Sequence, residues 1–145
     1  MRYGRYTVLI ARPKEAVFDF FVDFAQASSW RAFVRTMERL DEGPLCAGSR
    51  VHVTMDVMGG DYSFDLDVLA VERPSLWRHR ADETDVITVV EYRFASEGAG
   101  TRVTMTIDFQ PRGLYGWLAV PLILMQRGKP YRDQLPHLRD ALETR

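Results

Sequence analysis

Hydrophobic and polar residues alternate through most of the region 34–109, which is typical of an antiparallel sheet with one buried face. Turn residues at Gly59-Gly60 and in the EGAG stretch (97–100) separate the alternating runs. The positions predicted to face inward are Val51, Val53, Met55, Val57, Tyr62, Phe64, Leu66, Val68, Ala70, Val86, Thr88, Val90, Tyr92, Phe94, Val103, Met105, Ile107 and Phe109. The pattern therefore predicts a long sheet with a single apolar face.

Two short helices are predicted ahead of this sheet. A first strand covers Arg5–Ile10, and Pro13 suits the first turn of a helix because its fixed φ matches the helical value. Asp23 and Gln26 have the spacing of a capping box, which predicts that a second short helix begins there. The aromatic residues assigned to this second helix are Trp30 and Phe33.

A long C-terminal helix is predicted to cover the apolar face. Its inward residues, at spacings of three and four, are Tyr131, Leu135, Leu138 and Leu142. The preceding segment 114–126 is apolar nearly all round, so we expect it to be covered on more than one side. Pro121 and Pro130 each remove a helical hydrogen bond, which predicts a bend or break near each, and Pro136 is a third such position.

The order of these elements resembles the START-like helix-grip superfamily (SRPBCC), in particular its polyketide cyclase/dehydrase and lipid-transport group. The segments that carry the resemblance are ARPKEAVFDFFVDFAQASSW (11–30), GPLCAGS (43–49), ERPSLW (72–77), GAGTRVTM (98–105) and LPHLRDALE (135–143). The resemblance implies an α+β fold in one domain (1–145). A curved antiparallel sheet of about seven strands would wrap around the long C-terminal helix, with two short helices after the first strand. It also implies a cavity between sheet and helix, roofed by residues 114–126.

Composition and charge exclude several classes of function. The chain has 145 residues and a formal net charge of −1, which provides no basic surface for nucleic acid. Cys46 is the single cysteine, so an intrachain disulfide and a thiolate zinc cluster are excluded. We recognise neither a signal peptide nor a transmembrane segment, so the expected location is the cytoplasm. A monomer and a homodimer are both compatible with the sequence.

Catalytic and metal-binding motifs are not recognisable. His52, His79 and His137 are far apart and lack the spacing of metal ligands, so neither a metal nor a cofactor is expected. Cys46 lies in a turn with no histidine near it in sequence, which makes a structural role more plausible than a nucleophilic one.

Polar groups on the inward face are the more informative candidates. If Trp77 points inward then so does His79, which would either orient a ligand or be satisfied within the protein. Tyr62 and Tyr92 share this parity and either present a hydroxyl to a ligand or fill the core. The candidate ligand-binding residues are Trp30, Phe33, Val53, Met55, Tyr62, Phe64, Leu66, Trp77, His79, Val90, Tyr92, Met105, Leu118, Leu122 and Met125.

Three functions are compatible with these observations. The first is binding of an apolar or amphipathic small molecule, such as a lipid, polyketide or isoprenoid, in the cavity. The second is a polyketide aromatase/cyclase or dehydratase acting in that cavity, so the sequence leaves open whether the protein is an enzyme. The third is an interaction module that docks on another surface through residues 114–126.

Overall fold

The curved antiparallel sheet and the long C-terminal helix are both present, as the alternation predicts. The computed structural model describes residues 2–83 and 85–145. Its strands are β1 (Arg2–Ile10), β2 (Val34–Arg39), β3 (Arg50–Val57), β4 (Gly60–Glu72), β5 (Leu76–Asp82), β6 (Val86–Glu97) and β7 (Gly100–Pro111). The helices are α1 (Lys14–Phe21), a 3-10 helix (Phe24–Ser29) and α2 (Gly113–Glu143). The strands follow the order β1-β7-β6-β5-β4-β3-β2, and each neighbouring pair is antiparallel. The fold is the helix-grip fold.

The predicted inward parity is confirmed for most of the sheet. Trp77 is fully buried and His79 is 7% exposed, so both point into the concave face as expected. Other inward positions that are buried are Val51, Val53, Leu66, Val68, Val86, Thr88, Val90, Tyr92, Phe94, Val103, Met105, Ile107 and Phe109. Period-two alternation is reliable here because one face of the sheet packs and the other meets water.

Two details of the strands differ from the prediction. The β3–β4 turn is formed by Met58 and Gly59, with φ of 53° and 84°, rather than by Gly59-Gly60. In β4 the register shifts between Val68 and Ala70, so Ala70 pairs with an outward position and Val71 takes the inward one. A β-bulge places one extra residue in the strand and reverses the alternation beyond it, which simple periodicity does not reveal.

The second helix is shorter and tighter than predicted. It starts directly after Asp23, as expected, but the Asp23 side chain makes no capping hydrogen bond; instead its backbone carbonyl accepts from the Gln26 N–H at 2.9 Å. The capping box is therefore wrong, because the 3-10 turn already uses this main-chain bond. The helix ends before Trp30, and Phe33 has a φ of 64° immediately before β2.

Two helical elements fill only part of the concave face. Phe18 and Phe21 of α1 pack edge-on against Phe94, and Phe21 also contacts Trp77 and Tyr92. The second half of α2 packs on the sheet near β1 and β7. Its inward leucines are confirmed as buried, namely Leu135, Leu138 and Leu142. Between α2 and the part of the concave face formed by β2, β3 and β4, the side chains leave a space.

The helix α2 is continuous through its three prolines, so of the predicted bend or break at Pro121 and Pro130 the break does not occur. Each proline leaves one preceding carbonyl without its helical donor, but the helix continues on both sides.

Segment 114–126 is covered on one side only. There Gly116 is buried against the backbone of residues 85 and 111, while Tyr115 and Trp117 are exposed.

Candidate functional site

A cavity of about 560 Å³ lies between the concave face of the sheet and α2. Its sheet wall comes from β2 to β6, and its helix wall comes from residues 126–134. Arg31, His79 and Tyr92 are buried on this wall, whereas Phe33 and Met58 are exposed, so the cavity opens to solvent beside the last two. The volume falls within the roughly 300–1,000 Å³ of small-molecule sites.

Most of the predicted ligand-binding residues line this cavity. Alternate positions of β3, β4 and β6 point into it because the strands expose every second side chain to the concave face. The predicted residues on the wall are Phe33, Val53, Met55, Tyr62, Phe64, Leu66, His79, Val90 and Tyr92. Their role in binding stays a prediction.

Three other predicted residues are part of the packed core instead. Trp30, Trp77 and Met105 are each buried and do not line the cavity. Trp77 lies 5.8 Å from the Phe21 ring centroid and 6.0 Å from that of Phe24. These aromatic contacts fill the end of the concave face next to α1, so inward parity alone does not place a residue at a ligand.

The predicted roof of the cavity is also displaced along α2. Leu118, Leu122 and Met125 are exposed by 68%, 51% and 74%, so they lie on the outer face of the helix. Ile123 and Leu124 face the core instead. Because the segment is apolar nearly all round, its sequence does not indicate which face turns inward. The roof is made by residues 126–134.

A set of polar residues on the wall was not among the predicted ligand-binding residues, although Thr88 and Tyr131 were predicted to face inward. The set consists of Arg31, Asp56, Glu83, Thr88, Gln126, Arg127, Tyr131 and Gln134. Two signals could have found part of it. Arg127, Tyr131 and Gln134 recur at helical spacing on one face, and Arg31 is the one charge within the aromatic stretch 28–34.

One polar cluster links α2 to the sheet near the cavity opening. Arg127 donates to both carboxylate oxygens of Glu83 at 2.8 and 2.6 Å, and the Tyr62 hydroxyl donates to the same carboxylate at 2.7 Å. Burial, together with this carboxylate, raises the pKa of Tyr62 to about 12. The cluster is fully paired, so it fixes the helix over the sheet.

His79 acts as a hydrogen-bond donor toward the cavity. The Trp77 Nε1–H donates to His79 Nδ1 at 2.9 Å, and indole nitrogen can only donate. The proton of the neutral ring is therefore on Nε2. Burial and the nearby Arg31 cation lower the pKa of His79 to about 3, so the ring is neutral at neutral pH. Nδ1 is occupied, which leaves no free basic nitrogen.

Tyr92 and Arg31 complete the buried end of the cavity. The Tyr92 hydroxyl donates to Gln134 Oε1 at 2.6 Å, and burial raises the pKa of this phenol to about 12 although Arg31 acts against the rise. Burial lowers the pKa of Arg31, an effect that Tyr92 partly offsets. The buried end of the cavity therefore offers one cation and several hydrogen-bond donors to a bound molecule.

Other chemistry finds little support at this site. Among residues 2–83 and 85–145, no group of three or more His, Cys, Asp or Glu side chains is placed to hold a metal ion. Cys46 is exposed and does not line the cavity. Within the same described ranges, no helix combines the length and apolar content needed to cross a bilayer.

The family model described as "Polyketide cyclase / dehydrase and lipid transport" matches residues 2–143. The chain belongs to this family. No curated protein matches the sequence.

Three solved structures are similar to this chain over nearly its whole length. A protein of Thermus thermophilus has a TM-score of 0.74 at 20% identity, covering 94% of this chain and 93% of its own. The START superfamily protein of Mycobacterium smegmatis has a TM-score of 0.71 at 16% identity, with coverages of 99% and 96%. The Zhui aromatase/cyclase of Streptomyces sp. R1128 has 0.71 at 20% identity, with coverages of 95% and 92%. At these identities the likeness concerns the fold.

Proposed function

We propose that the protein binds an apolar or amphipathic small molecule, of the lipid, polyketide or isoprenoid kind, in the cavity between the sheet and α2. The proposal is based on the composition of the cavity wall. Side chains such as Val53, Phe64 and Val90 supply apolar area, and a few polar groups converge at the buried end. Such a combination of apolar surface and few placed polar groups is typical of small-molecule sites. The family description, which includes lipid transport, agrees with this proposal.

The hydrogen bonding of the wall favours binding over acid–base chemistry. A general base needs a free lone pair and a pKa near the working pH. His79 has neither, because Trp77 occupies Nδ1 and the pKa of the ring is about 3. Glu83 is held by Arg127 and Tyr62.

Native mass spectrometry of the purified protein tests the proposal. We expect a mass excess from a co-purified small molecule, which disappears when the protein is denatured and is absent from a cavity-filled Val90→Trp variant. A protein that is free of any adduct and also takes up no neutral apolar fluorescent probe would contradict the proposal.

A polyketide aromatase/cyclase or dehydratase is the second candidate. The Zhui aromatase/cyclase shares the fold, and the donors of Arg31 and His79 would be able to polarise a ketone oxygen. Incubation with a reactive poly-β-ketone, followed by chromatography for aromatic products, separates the two candidates. Product formed faster with wild type than with Val90→Trp would favour the enzyme. Unchanged product distribution would favour the binder.

Docking through residues 114–126 stays a prediction. Its support is the exposure of a continuous apolar stripe on the outer face of α2, which includes Leu114, Leu118 and Met125. Large exposed apolar patches mark interaction surfaces in soluble proteins.

A further inference from the structure

Arg31 is a buried cation at the inner end of the cavity. It follows the 3-10 helix, where its N–H donates to the Ala27 carbonyl at 2.9 Å, and it is 7% exposed. Its guanidinium carbon lies 4.3 Å from the centroid of the Trp30 ring and 4.9 Å from that of Phe21. Because aromatic rings already contact the guanidinium, its N–H groups are what remain for polar partners.

One of these edges has no partner within the protein. Arg31 Nε and Nη2 are buried and make no hydrogen bond to any residue in the ranges 2–83 and 85–145. In Arg73 the same two atoms bind the two carboxylate oxygens of Asp19 at 2.9 and 2.8 Å. Side-on binding of this kind is the two-point geometry by which guanidinium recognises carboxylate. The Arg31 guanidinium, which lines the cavity, therefore lacks the carboxylate partner that Arg73 has.

The acidic residues of the cavity wall are engaged elsewhere. Glu83 is bonded to Arg127 at both oxygens. Asp56 pairs with Arg35 at 3.3 Å. Among the described residues no ion pair reaches Arg31, so its charge is not neutralised by the protein.

The polar groups near Arg31 add donors rather than negative charge. His79 is neutral with its proton on Nε2, because the Trp77 indole N–H occupies Nδ1. Tyr92 is buried beside Arg31, and its hydroxyl donates to Gln134 Oε1 at 2.6 Å. The inner end is thus positive and rich in donors, whereas the rest of the wall is mainly apolar.

We propose that the ligand of this cavity is amphipathic and carries a carboxylate, which pairs with Arg31 at the inner end while the apolar part extends along Val53 and Phe64 toward the opening. This inference rests on the proposed function and specifies the class of ligand. A carboxylate pairs with a buried charge that a neutral ligand of equal length leaves unpaired. The head group therefore determines which of two ligands of equal length binds more tightly.

Two probes of equal chain length, decanoate and decan-1-ol, test the inference at neutral pH, where the acid is ionised. Each displaces the neutral fluorophore N-phenyl-1-naphthylamine from the full-length protein. We expect wild type to bind decanoate roughly 10- to 100-fold more tightly than the alcohol, as a charge-assisted hydrogen-bond pair allows. Arg31→Met should lose this preference and keep its affinity for the alcohol and the fluorophore. Retained binding of the fluorophore also shows that the variant is folded.

Two further variants sharpen the test. Arg31→Lys keeps the charge but not the two-donor edge, so its preference should be intermediate. Arg73→Met removes a half-exposed arginine whose partner Asp19 does not line the cavity, and it should behave as wild type. Equal affinity of wild type for both probes, or an unchanged preference in Arg31→Met, would overturn the carboxylate inference while cavity binding stands. Failure of wild type to bind the fluorophore and both probes would overturn the proposed function, and this inference with it.

Discussion

Replacing Arg31 with methionine should raise the free energy of unfolding of the ligand-free protein. Methionine keeps a long, adaptable apolar side chain between Phe21 and Trp30, but it removes the charge. In wild type the Nε and Nη2 groups are buried without a partner, and burial lowers the pKa of Arg31. A group that serves a ligand in this way is a cost to the empty fold.

The expected gain is the difference between the desolvation penalty that the substitution removes and the cation–π attraction that it gives up. Each unpartnered buried polar group costs about 1–3 kcal/mol, so the two groups of Arg31 together cost about 2–6 kcal/mol. The substitution also eliminates two cation–π interactions, with Trp30 and Phe21, of about 0.5–2 kcal/mol each. The midpoints of these ranges, about 4 and about 2.5 kcal/mol, leave a net stabilisation of about 1.5 kcal/mol. Each kcal/mol raises the Tm of a chain of this size by roughly 2–4 °C.

Urea unfolding of ligand-stripped protein, followed by tryptophan fluorescence, measures this difference. Arg35→Met is the matched control. The half-exposed Arg35 pairs with Asp56 and Asp61, so its loss should change stability by at most about 1 kcal/mol. If Arg31→Met unfolds at lower urea than wild type with an unchanged slope, the guanidinium stabilises the empty fold and the reasoning is refuted.

Three other substitutions test separate parts of the structure. Val90→Trp should fill the cavity and so weaken uptake of an apolar fluorophore at least about tenfold, while stability changes by under about 1–3 kcal/mol. The outward-facing control Val89→Trp should leave uptake unchanged. Equal effects of the two substitutions on uptake would mean that Val90 belongs to the solid core. Wild type should lose stability as pH falls from 6.5 toward 3, by up to about 1.4 kcal/mol per pH unit. The reason is that His79 is protonated near pH 6.5 in the unfolded chain and only near pH 3 in the folded chain. Urea titrations between pH 3 and 6.5 should show a flatter dependence of stability on pH for His79→Gln than for His137→Gln. Gly116→Ala should destabilise the fold by about 1–2 kcal/mol, since the added Cβ would lie 2.5 Å from a backbone carbonyl oxygen. Unchanged thermal unfolding would contradict that close approach.

The fold was predictable because its strands obey one simple period over long stretches. Strand parity predicted that His79 faces the same way as Trp77, and both are buried. Prediction failed where local geometry breaks the period. The bulge near Ala70 reverses the alternation, and the left-handed backbone at Met58 moves the hairpin turn by one residue. Neither event leaves a clear trace in composition.

The site was less predictable because it depends on which face of each element meets the cavity. Leu118 and Leu122 belong to a segment that is apolar on all sides, so hydrophobicity gave no orientation. Gln134 and Arg127 were overlooked because charged and amide side chains on a helix are usually exposed to solvent. Arg31 lies between aromatic residues in sequence, but its burial depends on Phe21, ten positions earlier.

The aromatic cluster at α1 belongs to the core and to the binding site at once. Phe21 packs on Trp77 and Tyr92, and it also covers one face of the Arg31 guanidinium. Trp77 in turn fixes the tautomer of His79 through its indole N–H. The same contacts that bury apolar surface therefore remove water from the cation and set the direction of the neighbouring donor. A change in this cluster should alter stability and head-group preference together, because the same side chains serve both.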